Sequence, residues 1–215
     1  MTDPIPAASP ARDDALTAAA AQDGHVPAGA EAVDGEASAG ADSLNADLSV
    51  LSTLADGAVV RRARRGDEEG ILACIQALAD YEREPDAVEN TAEMIAETLF
   101  GADPRAFAFV VEREGGIRGI AVWFLTYSTW TGRHGIWLED LFVSAEDRSR
   151  GYGVALLSAL AGECVAQGYP RLEWTVLDWN EPAIGFYRAL GAEAMDDWTT
   201  RRVTGEKLRE LAARV

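Results

Sequence analysis

The sequence predicts a mixed α/β domain built on one, mostly antiparallel, central sheet that is flanked by helices. Three observations support this fold class. Short strand-like segments alternate with segments of helical periodicity, a glycine turn joins two of the strands, and 48% of the 215 residues are hydrophobic. Because this apolar content is sufficient for one substantial core, we expect a single folded domain.

An acidic segment precedes the predicted domain. Residues 1–57 are rich in Ala, Asp, Gly, Ser and Pro, lack aromatic residues, and carry ten of the 36 acidic residues but only one arginine. Such a segment buries too little apolar surface to offset the entropy lost on ordering. We therefore predict a disordered tail over residues 1–57 and a folded domain over residues 58–215, and we expect deletion of the tail to leave turnover within a few-fold.

Periodicity and turn residues assign the elements of the domain in order. The turn Glu114-Gly115-Gly116 joins two strands as a hairpin, and Gly168 and Gly191 end two helices. The predicted order is strand 59–63, a helix that includes residues 71–79, helix 91–100, strands 106–113, 118–126 and 135–143, helix 154–167, strand 171–177, helix 182–190 and strand 198–203.

Charge and composition narrow the class of partner. A net charge of −17 argues against nucleic acid, which is bound through a basic surface, and suits a cationic or neutral substrate. No apolar run approaches the roughly 20 residues of a membrane-spanning helix, and no signal-like leader is evident. Cys74 and Cys164 lie in apolar helical segments without the spacing of metal ligands. We therefore expect a cytoplasmic protein that acts on neither membranes nor nucleic acid and holds no metal.

The segment LEDLFVSAEDRSRGYGVALL, residues 138–157, carries the strongest chemical signal. A strand ends at Val143, and a glycine-containing loop over residues 148–153 leads into a helix. Glycines let the backbone approach a ligand closely, and the first N–H groups of a helix have no partner within the helix. The segment therefore predicts a cradle for a pyrophosphate. Without its strand-to-helix context, the same spacing also fits an ordinary turn capped by glycines.

This loop resembles the acetyl-coenzyme A loop of the GNAT superfamily of N-acetyltransferases. A second segment, DWNEPAIGFYRALGA over residues 178–192, resembles the closing loop and helix of that superfamily. The resemblance covers residues 58–205 and implies a GNAT fold with acetyl-coenzyme A as co-substrate. It implies that the cofactor-binding residues are Leu141, Phe142, Val143, Arg148, Ser149, Arg150, Gly151, Tyr152, Gly153, Val154, Asn180, Glu181, Pro182 and Ala183.

Within the superfamily, the chain is most similar to the diamine (spermidine/spermine) acetyltransferases. Tyr127, Trp130, Gly132 and the run LEDLFV carry this similarity. It implies a homodimer and a small-molecule amine acceptor, either a diamine or polyamine or a lysine-like amino acid. It implies that the acceptor-binding residues are Tyr81, Glu82, Glu139, Glu173, Trp174 and Thr175.

Glu139 is the predicted catalytic residue at the acceptor. Strand alternation would place Trp137, Glu139, Leu141 and Val143 on one face, with Glu139 as a carboxylate on an otherwise apolar surface. Such a carboxylate can orient an ammonium group and accept its proton, directly or through water. The alternative is an ordinary ion pair with a surface arginine. Asp140 would face the other side, and we interpret it as structural.

Tyr187 is the second predicted catalytic residue. The resemblance places its phenol at the thioester sulfur, where it could protonate the departing thiolate. The alternative is a core tyrosine at a helix–sheet junction. No activated serine or cysteine nucleophile is evident, which favours direct attack by the amine. Two other functions stay open: a GNAT enzyme acting on an aminoglycoside or a protein N-terminus, and a catalytically silent acyl-coenzyme A sensor.

Overall fold

A computed structural model describes residues 50–214 as a six-stranded sheet with five α-helices around it. The strands are β1 Val50–Thr53, β2 Val59–Arg62, β3 Phe107–Arg113, β4 Gly116–Ser128, β5 Arg133–Val143 and β6 Leu172–Glu173. The helices are α1 Glu68–Tyr81, α2 Ala92–Phe100, α3 Tyr152–Gln167, α4 Glu181–Ala189 and α5 Gly205–Ala212. Neighbouring strands are antiparallel except for β5 and β6, which are parallel. The predicted mixed, mostly antiparallel sheet flanked by helices is confirmed.

Both faces of the sheet are covered, which explains the uniformly apolar sequence of its central strand β3. Phe107, Phe109 and Val111 pack in the cluster under α3. The alternate residues Ala108 and Val110 pack in the cluster under α1 and α2. Because successive side chains of a strand point to opposite faces, a strand buried on both sides needs apolar residues at every position.

A β-bulge interrupts β5 at Glu139. On β4, Val122 pairs with Asp140 and the next residue, Trp123, pairs with Leu138. Glu139 is therefore an extra residue with no partner across this ladder. A bulge of this kind shifts the alternation of the strand by one residue and turns the neighbouring side chains in new directions.

The bulge overturns the predicted face of β5. Leu141 and Val143 pack in the cluster under α3, and Leu138 lies in the same cluster. Phe142 packs on the opposite side, under α1 and α2. The prediction that Glu139 shares one uninterrupted face with Leu141 and Val143 is therefore wrong, because the extra residue reverses the phase of the strand between them.

The folded part of the chain begins earlier than predicted. Strand β1, Val50–Thr53, lies within the segment expected to be disordered, yet it pairs antiparallel with β2. The prediction is wrong for residues 50–57, because pairing with a sheet edge supplies backbone hydrogen bonds that local composition does not reveal. Residues 1–49 lie outside the described residues, so the rest of the tail stays a prediction.

The carboxyl-terminal part of the domain also differs from prediction. The strand expected over 171–177 is reduced to β6, and residues 198–203 form no strand but an exposed irregular segment before α5. A strand needs a partner, and within residues 50–214 no strand pairs with residues 174–177 or 198–203. In the same range, no helix combines the length and apolar character needed to cross a membrane.

Candidate active site

The sheet opens between β5 and β6. The two strands pair only at Ile136 with Leu172 and at Trp137 with Glu173. Beyond this point, residues 138–143 of β5 present an edge that β6 does not cover. Such an edge offers a row of N–H and C=O groups to an extended ligand. The predicted cofactor residues Leu141 to Val143 lie on this edge.

The loop between β5 and α3 has the backbone shape of an anion-binding site. Ser149 and Gly151 both adopt left-handed conformations, with φ angles of 63° and 85°. Among the described residues, none of the backbone N–H groups of residues 149–154 has a hydrogen-bond acceptor. A Cβ atom added at Gly151 would meet no atom within 4 Å. Free N–H groups around open space fit the pyrophosphate of coenzyme A, as predicted for residues 149–154.

The side chains of this segment divide into those that face the opening and those that do not. Phe142 is 7% exposed and Tyr152 only 1% exposed, so each can offer a ligand its backbone but not its side chain. The exposed Arg148 donates through Nε to the Val143 carbonyl at 3.4 Å. Arg148, a predicted cofactor residue, therefore places a charged side chain at the opening.

Tyr81 joins the loop to helix α4. Its hydroxyl donates to Asn180 Oδ1 at 3.0 Å, and the guanidinium of Arg148 lies 5.0 Å from the centre of its ring. Asn180 Oδ1 also accepts the N–H of Ala183 at 3.3 Å and so caps α4. The end of α1, the cofactor loop and the start of α4 therefore meet at Tyr81. The sequence predicted Tyr81 as an acceptor-binding residue and its two partners, Arg148 and Asn180, as cofactor-binding residues.

Tyr187 lies in α4 with its ring half-buried. The ring centre is 4.9 Å from that of Trp174 and 5.3 Å from that of Phe186. Burial raises the pKa of the Tyr187 phenol above its ordinary value, so the group keeps its proton at neutral pH. Within residues 50–214, its side-chain contacts are the rings of Trp174 and Phe186, and its hydroxyl makes no hydrogen bond there. These properties suit a proton donor.

Three carboxylates, Glu82, Glu139 and Asp140, form an acidic cluster at the bulge. Burial raises the pKa of Asp140 to about 6, and the charges of Glu139 and Glu82 add to this effect. Burial also raises the pKa of Glu82. Glu139 is exposed and accepts a hydrogen bond from the Trp137 indole at 3.0 Å. Arginine does not pair with Glu139 in the described residues, so the alternative of a surface ion pair is not observed.

Asp140 was expected on the face opposite Glu139, but the bulge lies between Leu138 and Asp140, and the charge of Glu139 raises the pKa of Asp140. Its interpretation as a structural residue stays a prediction. A signal of the raised pKa was present, since two consecutive acids interrupt an otherwise apolar strand that is covered on both faces. On such a strand one of the two must enter a packed layer, and a buried acid without a cation has a raised pKa and often a function.

Several predicted site residues do not join these groups. Glu173 forms an ion pair with Arg171 at 3.0 Å, which neutralises its charge. Thr175, Glu181 and Pro182 are exposed. Among the described residues, the side chains of Thr175 and Glu181 make no hydrogen bond or ion pair.

Comparisons with known proteins support the same assignment. Residues 71–192 match the Acetyltransferase (GNAT) family. Thialysine N-epsilon-acetyltransferase of Sus scrofa is 34% identical over 167 residues, which cover 73% of this chain and 98% of that protein. Spermidine/spermine N(1)-acetyltransferase-like protein 1 of Homo sapiens is 28% identical over 170 residues, which cover 74% of this chain and 24% of that protein.

A solved structure agrees in fold. An integron cassette protein from the mobile metagenome of V. cholerae has a TM-score of 0.63 and 22% sequence identity, and covers 72% of this chain and 97% of its own. The family match spans more than half of the chain and includes the loop, the acidic pair on β5 and the helix that carries Tyr187. The chain therefore belongs to the GNAT family and is an N-acetyltransferase with acetyl-coenzyme A as co-substrate.

Proposed function

We propose that this enzyme acetylates the side-chain amine of a lysine-like amino acid, and diamines and polyamines less efficiently. The acidic cluster of Glu82, Glu139 and Asp140 carries the proposal. None of the three has a basic partner in the described part of the chain, so a cationic ligand would relieve their repulsion. The relative from Sus scrofa, named for a lysine analogue, supports an acceptor of this kind.

Arg83 favours an amino acid over a polyamine. It follows Glu82 directly, its guanidinium lies 5.1 Å from the ring centre of Trp179, and it has no acidic partner within residues 50–214. It also adopts a left-handed backbone conformation with a φ of 68°, which is strained for a residue with a side chain. A guanidinium suits a carboxylate, which an amino acid has and a polyamine lacks.

The acidic cluster and Tyr187 have complementary roles in the proposed mechanism. Glu82 and Asp140 hold the ammonium group, and Glu139 accepts its proton directly or through water, so that the neutral amine can attack. When bound, acetyl-coenzyme A supplies the acetyl group as a thioester. Tyr187 holds a proton at Oη for the departing thiolate. An acid–base pair of this kind favours an enzyme over a silent sensor.

The proposal includes a cytoplasmic homodimer. Large apolar side chains are unusually exposed in the β4–β5 hairpin and the carboxyl-terminal segment, with Trp130 85%, Trp198 73% and Met195 66% exposed. Exposed aromatic residues and methionine are typical of protein interfaces. Light scattering after size-exclusion chromatography tests the dimer, and the mass of a monomer at micromolar concentration would contradict it.

Mass spectrometry of an amine panel tests the acceptor. The panel contains thialysine, lysine, cadaverine, spermidine, an aminoglycoside and a peptide with a free N-terminus, each incubated with acetyl-coenzyme A. We expect acetylation of the side-chain amine, with lysine-like acceptors preferred to cadaverine, which lacks the carboxylate. Arg83→Gln should reduce this preference, whereas Arg118→Gln should not. Acetylation of only the aminoglycoside or the peptide would contradict the proposal, and binding without any product would indicate a sensor.

A further inference from the structure

The β1–β2 turn contacts the loop that leads into α3. Asp56 lies in this turn, and both of its carboxylate oxygens are engaged. Oδ1 accepts the backbone N–H of Ala58 at 3.3 Å, and Oδ2 accepts the hydroxyl of Tyr152 at 2.7 Å. Oδ2 also lies 3.5 Å from Nη1 of Arg150. One carboxylate outside the loop therefore contacts two residues of the predicted cradle.

Tyr152 transmits this contact to the backbone. It is the first residue of α3 and lies between the two glycines of the loop. Its side chain is 1% exposed and packs in the cluster under α3. Burial, together with Asp56, raises the pKa of the Tyr152 phenol, so it stays a hydrogen-bond donor. A side chain held at both its ring and its hydroxyl fixes the direction of the N–H groups beside it.

Arg150 links this contact to a second anchor of the loop. Its Nε lies 3.3 Å from Oδ1 of Asp147, which also accepts a hydrogen bond from Nη1 of Arg113 at 3.0 Å. Asp147 is 3% exposed. The charges of these two arginines offset those of Asp147 and Asp56, so phosphate is left to Arg148 and to the oriented N–H groups of the loop. Their orientation is what the two aspartates control.

We propose that Asp56 is a positioning residue for the co-substrate: through Tyr152 and Arg150, it holds residues 149–154 in the shape that binds the pyrophosphate. The inference rests on the proposed role of this loop as the phosphate cradle. Without Asp56, the loop would have to be ordered during binding, which lowers affinity. Asp56 has no hydrogen bond or ion pair with a residue of the acceptor end among the described residues, so turnover at saturation should be retained.

Calorimetry with coenzyme A and steady-state kinetics on the full-length chain test this role. Asp56→Ala should raise the Kd for coenzyme A and the KM for acetyl-coenzyme A about 10-fold, with kcat changed less than about 2-fold. Tyr152→Phe should cause part of the same loss. The double variant should lose little more than Asp56→Ala, because both changes remove one contact. The control Asp103→Ala removes an exposed aspartate paired with Arg105 and should change neither constant.

The outcomes separate this role from the assignment of the cradle itself. If Asp56→Ala and Tyr152→Phe bind normally while Gly151→Val loses affinity, the role of Asp56 is overturned and the cradle stands. If all three bind normally, the loop is not the phosphate site. A lower unfolding temperature with unchanged Kd would assign Asp56 a merely structural role and overturn the inference. Should Asp56→Ala fail to fold, Asp56→Asn and Tyr152→Phe decide by the same measurements.

Discussion

Charged side chains are arranged differently at the cofactor end of the active site, residues 148–154, and at its acceptor end, the acidic cluster. At the cofactor end, Arg150 is shared between Asp56 and Asp147, and Arg148 alone has no acidic partner among the described loop residues. At the acceptor end, the charges of Glu139 and Glu82 both act on Asp140, and none of the three carboxylates has a basic partner among the described residues. Paired charges hold a loop in one shape before the ligand arrives, whereas uncompensated like charges make the protein less stable until a cation binds.

This difference indicates how each end recognises its ligand. In the proposed assignment, the cofactor end binds phosphate through the backbone N–H groups of a loop that is already shaped, so it should be sensitive to changes in geometry. The acceptor end depends on the ionisation of a few side chains, so it should be sensitive to pH and to the removal of charge. The predictions below separate sensitivity to geometry from sensitivity to charge, beginning with the proposed proton donor.

The largest effect is expected at Tyr187, the proposed proton donor. Tyr187→Phe keeps the ring packing against Trp174 but removes the proton, so kcat should fall about 100-fold or more. Affinity for coenzyme A should change little, because the ring remains. Stopped assays with saturating substrates measure this. Tyr169→Phe is a matched control, since burial also raises the pKa of that tyrosine, yet its ring contacts His134 instead. A loss confined to KM would contradict a proton-donor role.

The variant Gly151→Val tests whether binding at the cofactor end depends on the shape of the loop. The φ angle of 85° is strained for valine, so the loop must change shape, and the Kd for coenzyme A should rise about 30-fold. Calorimetry at two ionic strengths should give the same ratio if shape, rather than charge, is responsible. Gly162→Val is the control, because a Cβ at that helical position meets no atom within 4 Å. Equal affinity in both variants would exclude a preformed cradle.

The variant Asp140→Asn tests whether binding at the acceptor end depends on charge. The carboxylate that this change removes should be needed to hold the ammonium group, so kcat/KM for the amine should fall about 10-fold at neutral pH. In the wild type, kcat/KM should rise as pH increases through about 6, where Asp140 ionises. The variant should lack this acid limb. An unchanged pH profile would show that Asp140 does not contribute to amine binding.

The same variant should be more stable than the wild type at alkaline pH. The folded protein raises the pKa of Asp140 from 3.8 to about 6, so it favours the protonated acid. The stability that this acid contributes is present below its unfolded pKa and is lost as pH rises through the folded pKa. Above about pH 7 the loss approaches about 3 kcal/mol, and the uncharged amide of the variant avoids it. The unfolding temperature of the variant should be higher than that of the wild type at about pH 8. The two unfolding temperatures should become equal below about pH 4.

The smallest effect is expected at the amino terminus. Removal of residues 1–49 should leave turnover and coenzyme A affinity within about 2-fold, because β1 and Asp56 remain. Removal of residues 1–57 should lower both affinity and unfolding temperature, since it deletes strand β1 and the contact to Tyr152. The expectation that deletion of residues 1–57 leaves turnover within a few-fold concerns kcat and stays a prediction. Equal behaviour of the two truncations would contradict a role of Asp56 in the cofactor end.

The cofactor end was the more predictable of the two because its parts are adjacent in the chain. The glycines of residues 148–154, the strand before them and the helix after them lie within one continuous segment, and the free N–H groups at the start of a helix favour an anion. The apolar strands and helical periodicities likewise predicted a covered, mostly antiparallel sheet. The loop motif and the periodicities depend on the spacing of nearby residues, which can be read directly from a sequence.

The acceptor end and the anchoring of the loop were decided only by the tertiary structure. The bulge at Glu139 exists because of how β4 and β5 align, and the charge of Glu82, at the end of α1, acts on Asp140 only in the folded chain. In the same way, Asp56 reaches Tyr152 across 96 positions of the chain. The sequence by itself determined the fold class and the chemistry of the loop, since both depend on neighbouring residues. Strand register and contacts between distant segments depend on the packing of the whole domain, and only the folded chain expresses them.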